Sequence, residues 1–226
     1  MYVTSPVSIF NNSNIISTQV SASNESQPQI INVSAGHPLF FEGDEAEFVY
    51  EMVEGVVRTS KILFDGRRQI LSFGYPGDVV GLSHDRFYHC DCETVCDVKL
   101  RVHRKNASNT CFERDPNFCN ELLRYAACEV NNMQEHFIML GRKSAMEKVA
   151  SFLAALMGRV GEKKDSRTCF DIPMCRSDIA DFLGLSHETI SRTLTRLRQN
   201  GIIDLPNKHR VCVRRPSELK ALAERE

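Results

Sequence analysis

PMCRSDIADFLGLSHETISRTLTRLRQNG, residues 173–201, contains two short helical patterns with a tight turn between them. Gly184 stands at the turn, Ser186 at the N-cap of the second helix and Gly201 after its last turn, and these residue types favour those backbone positions. The apolar residues recur at helical spacing, so each helix has one face to bury. These residues are Ile179, Ala180, Leu183, Leu185, Ile190, Leu194 and Leu197. The pattern is typical of a helix-turn-helix.

The second helix has a polar face that suits the major groove of DNA. Arginine can bond both acceptors of a guanine, glutamate can accept from N4 of cytosine, and serine can serve either role. The first turn of a recognition helix faces the base edges. We therefore predict four base-reading residues, which are His187, Glu188, Ser191 and Arg192.

A second set of side chains is predicted to contact phosphates, which position a protein without specifying sequence. These residues are Arg176, Ser186, Thr189 and Arg196. A wing hairpin is predicted next, because residues 202–204 and 211–213 look like two short strands joined by the basic stretch 207–210. The alternative is that the charged helix face is merely solvated. The cap, the turn glycine, the core spacing and the wing together favour DNA binding.

A long helix is predicted upstream, beginning near Asp115-Pro116. Its apolar residues alternate steps of four and three, which is a coiled-coil seam. Such a seam is most simply buried against a second copy of the helix across a two-fold axis; packing on the chain's own β-domain is the alternative. The seam residues are Leu123, Ala126, Val130, Met133, Phe137 and Leu140. A shorter helix is predicted over 145–157, ended by Gly158 and followed by a loop over 161–167.

Short β-runs separated by turn signals extend from Gln29 to His103. Asp65-Gly66, between Val57–Phe64 and Arg67–Phe73, is a strong hairpin signal because both residues favour positive φ. Many short strands without intervening helices predict a sandwich or jelly roll. Residues 1–28 are rich in Asn, Ser and Gln without a sustained period, and we expect a flexible tail there.

Composition and charge narrow the function classes. The 226 residues carry a net charge of −1, but residues 145–226 contain 15 Lys and Arg against 11 Asp and Glu, which fits a nucleic-acid surface at that end. No apolar run is long enough to span a membrane, and no secretory pattern begins the chain, so we expect a cytoplasmic protein. The nine cysteines fit this compartment and predict no disulfide framework. The sequence shows no motif typical of an enzyme, such as a nucleophile–base pair, a phosphate-cradling loop or paired carboxylates.

The helix-turn-helix also carries a family resemblance. Residues 179–186, IADFLGLS, followed by 188–192, ETISR, resemble the Crp/Fnr regulators, and the ETISR form is similar to the Fnr and FixK branches. Upstream, DGRRQI (65–70), PGD (76–78) and LGRKSA (140–145) resemble the same branches.

This resemblance implies an α+β protein with three parts after the predicted tail (1–28). They are a β-roll of the jelly-roll, cyclic-nucleotide-binding type (29–114), a dimerisation helix (115–143) and a winged helix-turn-helix domain (144–226). The resemblance also implies a homodimeric transcription regulator, which we expect to be an activator. Its implied partners are double-stranded DNA, at a palindrome similar to TTGA-N6-TCAA, and RNA polymerase.

We predict neither an effector nor a cofactor. Cyclic nucleotide binding in this fold needs an acidic residue and an arginine around the ligand, whereas this sequence has Leu82 at the acidic position and no arginine at the phosphate position. A buried phosphate without a partner is costly, although Ser83 or Arg86 remain as substitutes. An Fnr-type iron–sulfur cluster needs cysteines upstream of the β-roll, and none precedes Cys90. A ligand-gated Crp-type regulator is the alternative.

Cys90, Cys92 and Cys96 form one cysteine group with two interpretations. They share parity on a predicted strand, which suits a buried face. With the nearby histidines they would also make a metal site. We favour the buried face and predict no metal. The histidines concerned are His84, His89 and His103.

Cys175 is a separate candidate, for redox control. It stands at or next to the N-cap of the first helix of the motif, beside Arg176. A helix N-terminus and a neighbouring cation both stabilise a thiolate, and oxidation there would add charge or bulk beside DNA. The alternative is an unremarkable residue at a helix start.

Overall fold

The computed structural model describes residues 29–105, 116–164 and 167–224, without the side chains of residues 116–122, 124, 125 and 164. The tail predicted for residues 1–28 lies outside this description. The chain divides into two compact units, Met1–Asn132 and Met133–Glu226.

The first unit is built from antiparallel strands, followed by the beginning of a long helix. The strands are β1 (Gln29–Val33), β2 (Pro38–Phe40), β3 (Phe48–Glu54), β4 (Val57–Ile62), β5 (Arg68–Gly74), β6 (Val79–Val80), β7 (Asp91–Thr94) and β8 (Val98–Arg104). They form two four-stranded sheets, in the orders β1-β8-β3-β6 and β2-β7-β4-β5. The helix α1 (Pro116–Arg142) crosses the division between the units.

Alternation of apolar and polar residues places the core of this unit between the two sheets. In β8, Val98, Leu100 and Val102 are buried while the residues between them are half-buried. They pack in one cluster with residues of the other sheet, among them Phe40 and Val57. The prediction of a β-roll is confirmed.

The hairpin predicted at Asp65-Gly66 is also confirmed. β4 pairs with β5 from Val57 opposite Gly74 to Ile62 opposite Arg68. Gly66 has a φ of +81°, a backbone conformation that a residue without Cβ adopts at little cost.

The second unit joins four further helices to a small antiparallel sheet. The helices are α2 (Ala145–Val160), α3 (Arg176–Leu183), α4 (His187–Gln199) and α5 (Pro216–Ala223). The strands are β9 (Glu162–Lys164), β10 (Arg167–Asp171), β11 (Ile203–Asp204) and β12 (Arg210–Val213), in the order β11-β12-β10-β9.

The predicted end of α2 was wrong. The helix begins at a capping box formed by Ser144 and Glu147 and continues through Gly158 to Val160. A Cβ at Gly158 would meet no atom within 4 Å, and one glycine costs a helix only about 1 kcal/mol. The backbone instead turns at Gly161, where a Cβ would lie 2.2 Å from the carbonyl oxygen of Met157. The predicted loop over 161–167 contains β9 and the start of β10.

The prediction about cysteines also needs a correction. Cys169 on β10 and Cys212 on β12 are register partners and form a disulfide. Neighbouring antiparallel strands bring these side chains together, which their separation in sequence does not reveal. Among the described residues, no helix combines the length and the apolar character needed to cross a membrane.

Candidate DNA-binding site

The two helices of the motif are held at a turn by local hydrogen bonds. α3 ends at Gly184, which has φ +60° and ψ +44°, and the amide of Leu185 donates to the carbonyl of Ala180 at 3.0 Å. α4 then begins with Ser186 as N-cap, whose hydroxyl accepts from the amide of Thr189 at 3.1 Å. The predicted turn glycine and N-cap are therefore confirmed by the structure.

The buried faces of α3 and α4 match the apolar pattern closely. Ile190 and Leu197 on α4 have no measurable exposure, and Leu183 on α3 is equally buried. Leu185, in the turn, is only half-buried, so its predicted burial is incomplete. Thr193 is buried as well, which the apolar pattern missed because threonine was counted as polar.

The four predicted base-reading residues lie together on the first turns of α4. His187, Glu188 and Arg192 are exposed and Ser191 is half-buried. The guanidinium of Arg192 lies 3.4 Å from the carboxylate of Glu188, one turn away, and these side chains are 70% and 73% exposed. Exposed pairs of this kind are weak, so both side chains are available to a ligand.

The predicted phosphate-contacting residues are less uniform. Arg196 is exposed. The hydroxyls of Ser186 and Thr189 lie 2.8 Å apart and bond each other at the start of α4. Arg176 is half-buried and donates to the carbonyl of Lys208 at 3.3 Å. Burial lowers the pKa of the Arg176 guanidinium. This side chain thus joins the start of α3 to the tip of the wing.

The wing is the hairpin of β11 and β12. Ile203 is opposite Val213, and at the tip the amide of His209 donates to the side chain of Asn207 at 2.8 Å. The amide of Ile172 donates to the carbonyl of His209 at 2.6 Å, which joins the tip to the segment before α3. The predicted wing is present, and β10 and β9 extend it to a four-stranded sheet.

Cys175 is the N-cap of α3, as the sequence indicated. Its sulfur accepts from the amide of Asp178 at 3.4 Å. The residue is exposed and not in a disulfide. Cys212 in the wing is both buried and disulfide-bonded, so it offers no free thiol there.

The predicted seam on α1 is largely exposed. Phe137 is 81% exposed and Leu123 is 64% exposed. Ala126, Val130 and Met133 are also exposed, and Leu140 is half-buried. Ile138, which the alternating steps of four and three left out, is 51% exposed beside the seam.

The other face of α1 packs within the second unit. His136 is buried, its Nε2 lies 3.0 Å from the carbonyl of Phe182, and the two rings are 4.3 Å apart. Burial is the largest cause that lowers the pKa of His136; the hydrogen bond to Phe182 raises it and nearby Lys148 lowers it further. The predicted seam does not include this residue, and Met139 three positions later is buried on the same face.

Two cysteines of the β-roll are buried. Cys90 and Cys92 are each 1% exposed, and burial raises the pKa of Cys90 to about 12, with smaller contributions from Asp91 and Glu42. Cys96 lies beyond β7, and its sulfur accepts from the amide of Val56 at 3.2 Å. The predicted buried strand face therefore holds Cys90 and Cys92 but not Cys96.

The residues considered as substitutes in a nucleotide site are already engaged. The hydroxyl of Ser83 lies 3.0 Å from the carboxylate of Asp85. Arg86 forms an ion pair with Glu45. A phosphate bound here would compete with the carboxylate of Glu45 for Arg86, and it would be repelled by the carboxylate of Asp85.

Comparison with known proteins agrees with this architecture. Residues 147–222 match the Crp-like helix-turn-helix domain, and residues 30–115 match the cyclic nucleotide-binding domain. The nitrogen fixation regulation protein FixK of Azorhizobium caulinodans is 39% identical over 90% of this chain and 86% of its own length. The transcriptional activatory protein AadR of Rhodopseudomonas palustris is 37% identical over 82% of this chain and 77% of its own.

A solved structure supports the same assignment. FixK2 from Bradyrhizobium japonicum superposes with a TM-score of 0.80 at 32% identity, over 88% of this chain and 98% of that one. Sequence identity and coverage at this level, with both domains matched, show that this chain and these proteins belong to one family. The chain belongs to the FixK-like branch of the Crp/Fnr family and is a DNA-binding transcription regulator of that family.

Proposed function

We propose that this protein activates transcription as a homodimer bound to a palindrome similar to TTGA-N6-TCAA, without a small-molecule effector. The observation that carries the proposal is the exposed pair Glu188 and Arg192 at the start of α4. A donor fork and an acceptor at this spacing suit a guanine and the cytosine of a neighbouring base pair.

The remaining contacts follow from the positions of the side chains around this pair. His187 and Ser191 flank it and complete the base-reading set. Arg196, exposed on the same helix, is proposed to contact phosphate. Ser186 and Thr189 are proposed to do so at the N-terminus of α4, where amides and helix dipole favour an anion.

Arg176 has a double role in this proposal. Its bond to Lys208 supports the wing, and its half-buried guanidinium is also proposed to contact a phosphate. A substitution at Arg176 would therefore weaken binding on all sequences, because both roles are independent of the bases.

The homodimer is proposed from the exposed seam of α1. Apolar side chains as exposed as Phe137 and Leu123 are stabilised when a partner removes them from water. A second copy presents the same stripe, so the two-fold arrangement buries both. Two recognition helices would then read the two halves of a palindrome.

Effector independence is proposed from the β-roll. The matched domain is named for cyclic nucleotides, but the fold alone does not supply a ligand site. Leu82 replaces the expected acid, and Ser83 and Arg86 are committed to Asp85 and Glu45. The protein is proposed to work in the cytoplasm with RNA polymerase, as expected of an activator.

A gel-shift titration tests the proposal. Purified protein is mixed with a duplex carrying the palindrome, with a duplex whose two half-sites are scrambled, and with each in the presence of cyclic AMP. We expect a shift of the palindrome alone at low protein concentration, unchanged by cyclic AMP. Equal binding of both duplexes would contradict sequence-specific reading, and a shift that needs cyclic AMP would favour the ligand-gated alternative.

A further inference from the structure

Two imidazoles and a carboxylate converge on the segment between β6 and β7. The ligand atoms of His84, Asp85 and His89 all lie within 4.8 Å of one another, and in the described part of the chain these residues form the one such group of three. Nε2 of His89 is 2.8 Å from Oδ2 of Asp85, and Nε2 of His84 is 3.6 Å from the same oxygen. The rings are stacked, 5.5 Å apart and inclined by 16°.

The orientation of the carboxylate is fixed by its other oxygen. Oδ1 of Asp85 accepts from the amide of Phe87 at 3.0 Å and lies 3.0 Å from the hydroxyl of Ser83. Oδ2 is thus left to face both imidazoles. Partners of this kind hold metal-binding groups in position before the metal arrives.

The segment itself is attached to the β-roll at both ends. Lys61 donates to the carbonyl of His89 at 3.2 Å, and Lys105 donates to the carbonyl of Ser83 at 3.3 Å. Tyr88, between the ligands, is buried. The three side chains therefore project from a backbone that is held at both ends.

A hydrogen-bonded pair accounts for only part of this arrangement. His89 and Asp85 are at hydrogen-bond distance, but His84 at 3.6 Å is too far for a hydrogen bond. Its ring nonetheless stacks on that of His89 and presents a nitrogen to the same oxygen. Ligands about 2.0–2.1 Å from a tetrahedral ion lie roughly 3.3 Å from each other, a value between the two measured separations.

We propose that His84, Asp85 and His89 bind a divalent transition-metal ion, with Zn²⁺ or Co²⁺ as representatives, through the two Nε2 atoms and Oδ2. Imidazole and carboxylate donors suit such ions. The side chains are 85%, 40% and 50% exposed in chain order, so water can fill the remaining positions. Cys90 follows His89 but is buried and is not a ligand. The site departs from the metal-free prediction and uses the histidines without the cysteines.

The test is a titration of chelator-treated, full-length protein with Co²⁺, followed by calorimetry and visible absorption. We expect a saturable site at micromolar Co²⁺, with weak visible bands and no intense near-ultraviolet thiolate band. Zn²⁺ should displace the Co²⁺. A thiolate band would place the metal on a cysteine instead and would overturn the proposal.

Variants assign the ligands. The double variant His84→Ala/His89→Ala should lose the site, and Asp85→Asn should weaken it about tenfold or more. His37→Gln, which removes an imidazole elsewhere on the same β-roll, should bind Co²⁺ as the wild type does. The thermal unfolding midpoint of each protein, measured in chelator, is the folding control and should match that of the wild type. Unchanged binding in the double variant, or no uptake by the wild type, would overturn the proposal.

Discussion

Arg192 is expected to contribute most to sequence preference among the side chains of α4. Arg192→Ala should cost about 1–3 kcal/mol of binding free energy on the palindrome and less on random DNA, because only the specific complex offers it a guanine. Fluorescence anisotropy on the two duplexes measures the difference. Arg198→Ala, an exposed arginine of the same helix outside the base-reading set, is the matched control. Equal losses on both duplexes would make Arg192 a phosphate contact.

Cys175 is expected to determine the sensitivity of DNA binding to peroxide. Its thiol is exposed at the N-cap of α3, and a sulfinate there would add negative charge beside phosphates. Peroxide should weaken binding by the wild type, while Cys175→Ala should largely resist. Cys128→Ser removes another exposed cysteine and should remain as sensitive as the wild type. If Cys175→Ala loses binding as fast, the oxidised residue lies elsewhere.

His136 should make the stability of the second unit depend on pH. Burial lowers its pKa below the ordinary 6.5, so between these two values the unfolded chain binds more protons than the folded one. The stabilisation is therefore complete above pH 6.5 and decreases as the pH falls through 6.5 toward the lowered value. Urea unfolding between pH 5 and 8 should show this slope. His136→Gln should flatten it, and an unchanged slope in that variant would assign it to other groups.

Helix starts and turns were the elements that the sequence predicted best, because their signals are local. Ser186 and Gly184 act through backbone groups within a few residues, so their roles can be inferred without the rest of the fold. β9 could not be predicted, since Glu162–Lys164 is polar and becomes a strand only by pairing with β10. The prediction that Gly158 ends α2 was wrong for a related reason. Whether one glycine ends a helix depends on the packing of the whole helix.

The seam of α1 yields a prediction about assembly. Phe137→Asp should prevent dimer formation, because it would bury an unpaired charge between two helices. Sedimentation velocity should then show the monomer, and duplexes with two half-sites should bind far more weakly than with wild-type protein. Glu135→Asp, at an exposed position of the same helix, keeps its charge and should leave the dimer intact. A Phe137→Asp protein that still sediments as a dimer would mean that another surface forms it.

The whole molecule is expected to bind DNA without a nucleotide. Calorimetric titration of the full chain with cyclic AMP should give no tight binding, because Leu82 and the carboxylates of Glu45 and Asp85 disfavour a phosphate. Anisotropy on the palindrome should give the same affinity with and without cyclic AMP. Tight nucleotide binding together with a parallel rise in DNA affinity would contradict effector independence.

The two-domain architecture was accessible from sequence for a different reason than the local elements. The motifs are short, but 65–70 and 188–192 lie one in each matched domain and 140–145 lies between the two domains. The Cys169–Cys212 pair and the burial of His136 were not accessible. Both depend on which residues the folded chain brings together, and neither leaves a periodic pattern.

The ion pair between Glu188 and Arg192 has a consequence for how regulators of this kind diverge. Since each side chain lies within reach of the other, replacing one changes the charge around the one that remains. Because both side chains are also proposed to read neighbouring base pairs, we expect a new target preference to arise by paired replacements at 188 and 192. The single-step intermediate would then bind both the old and the new target poorly. Such an intermediate is easier to tolerate in a duplicated copy, because the original copy continues to serve the ancestral promoters.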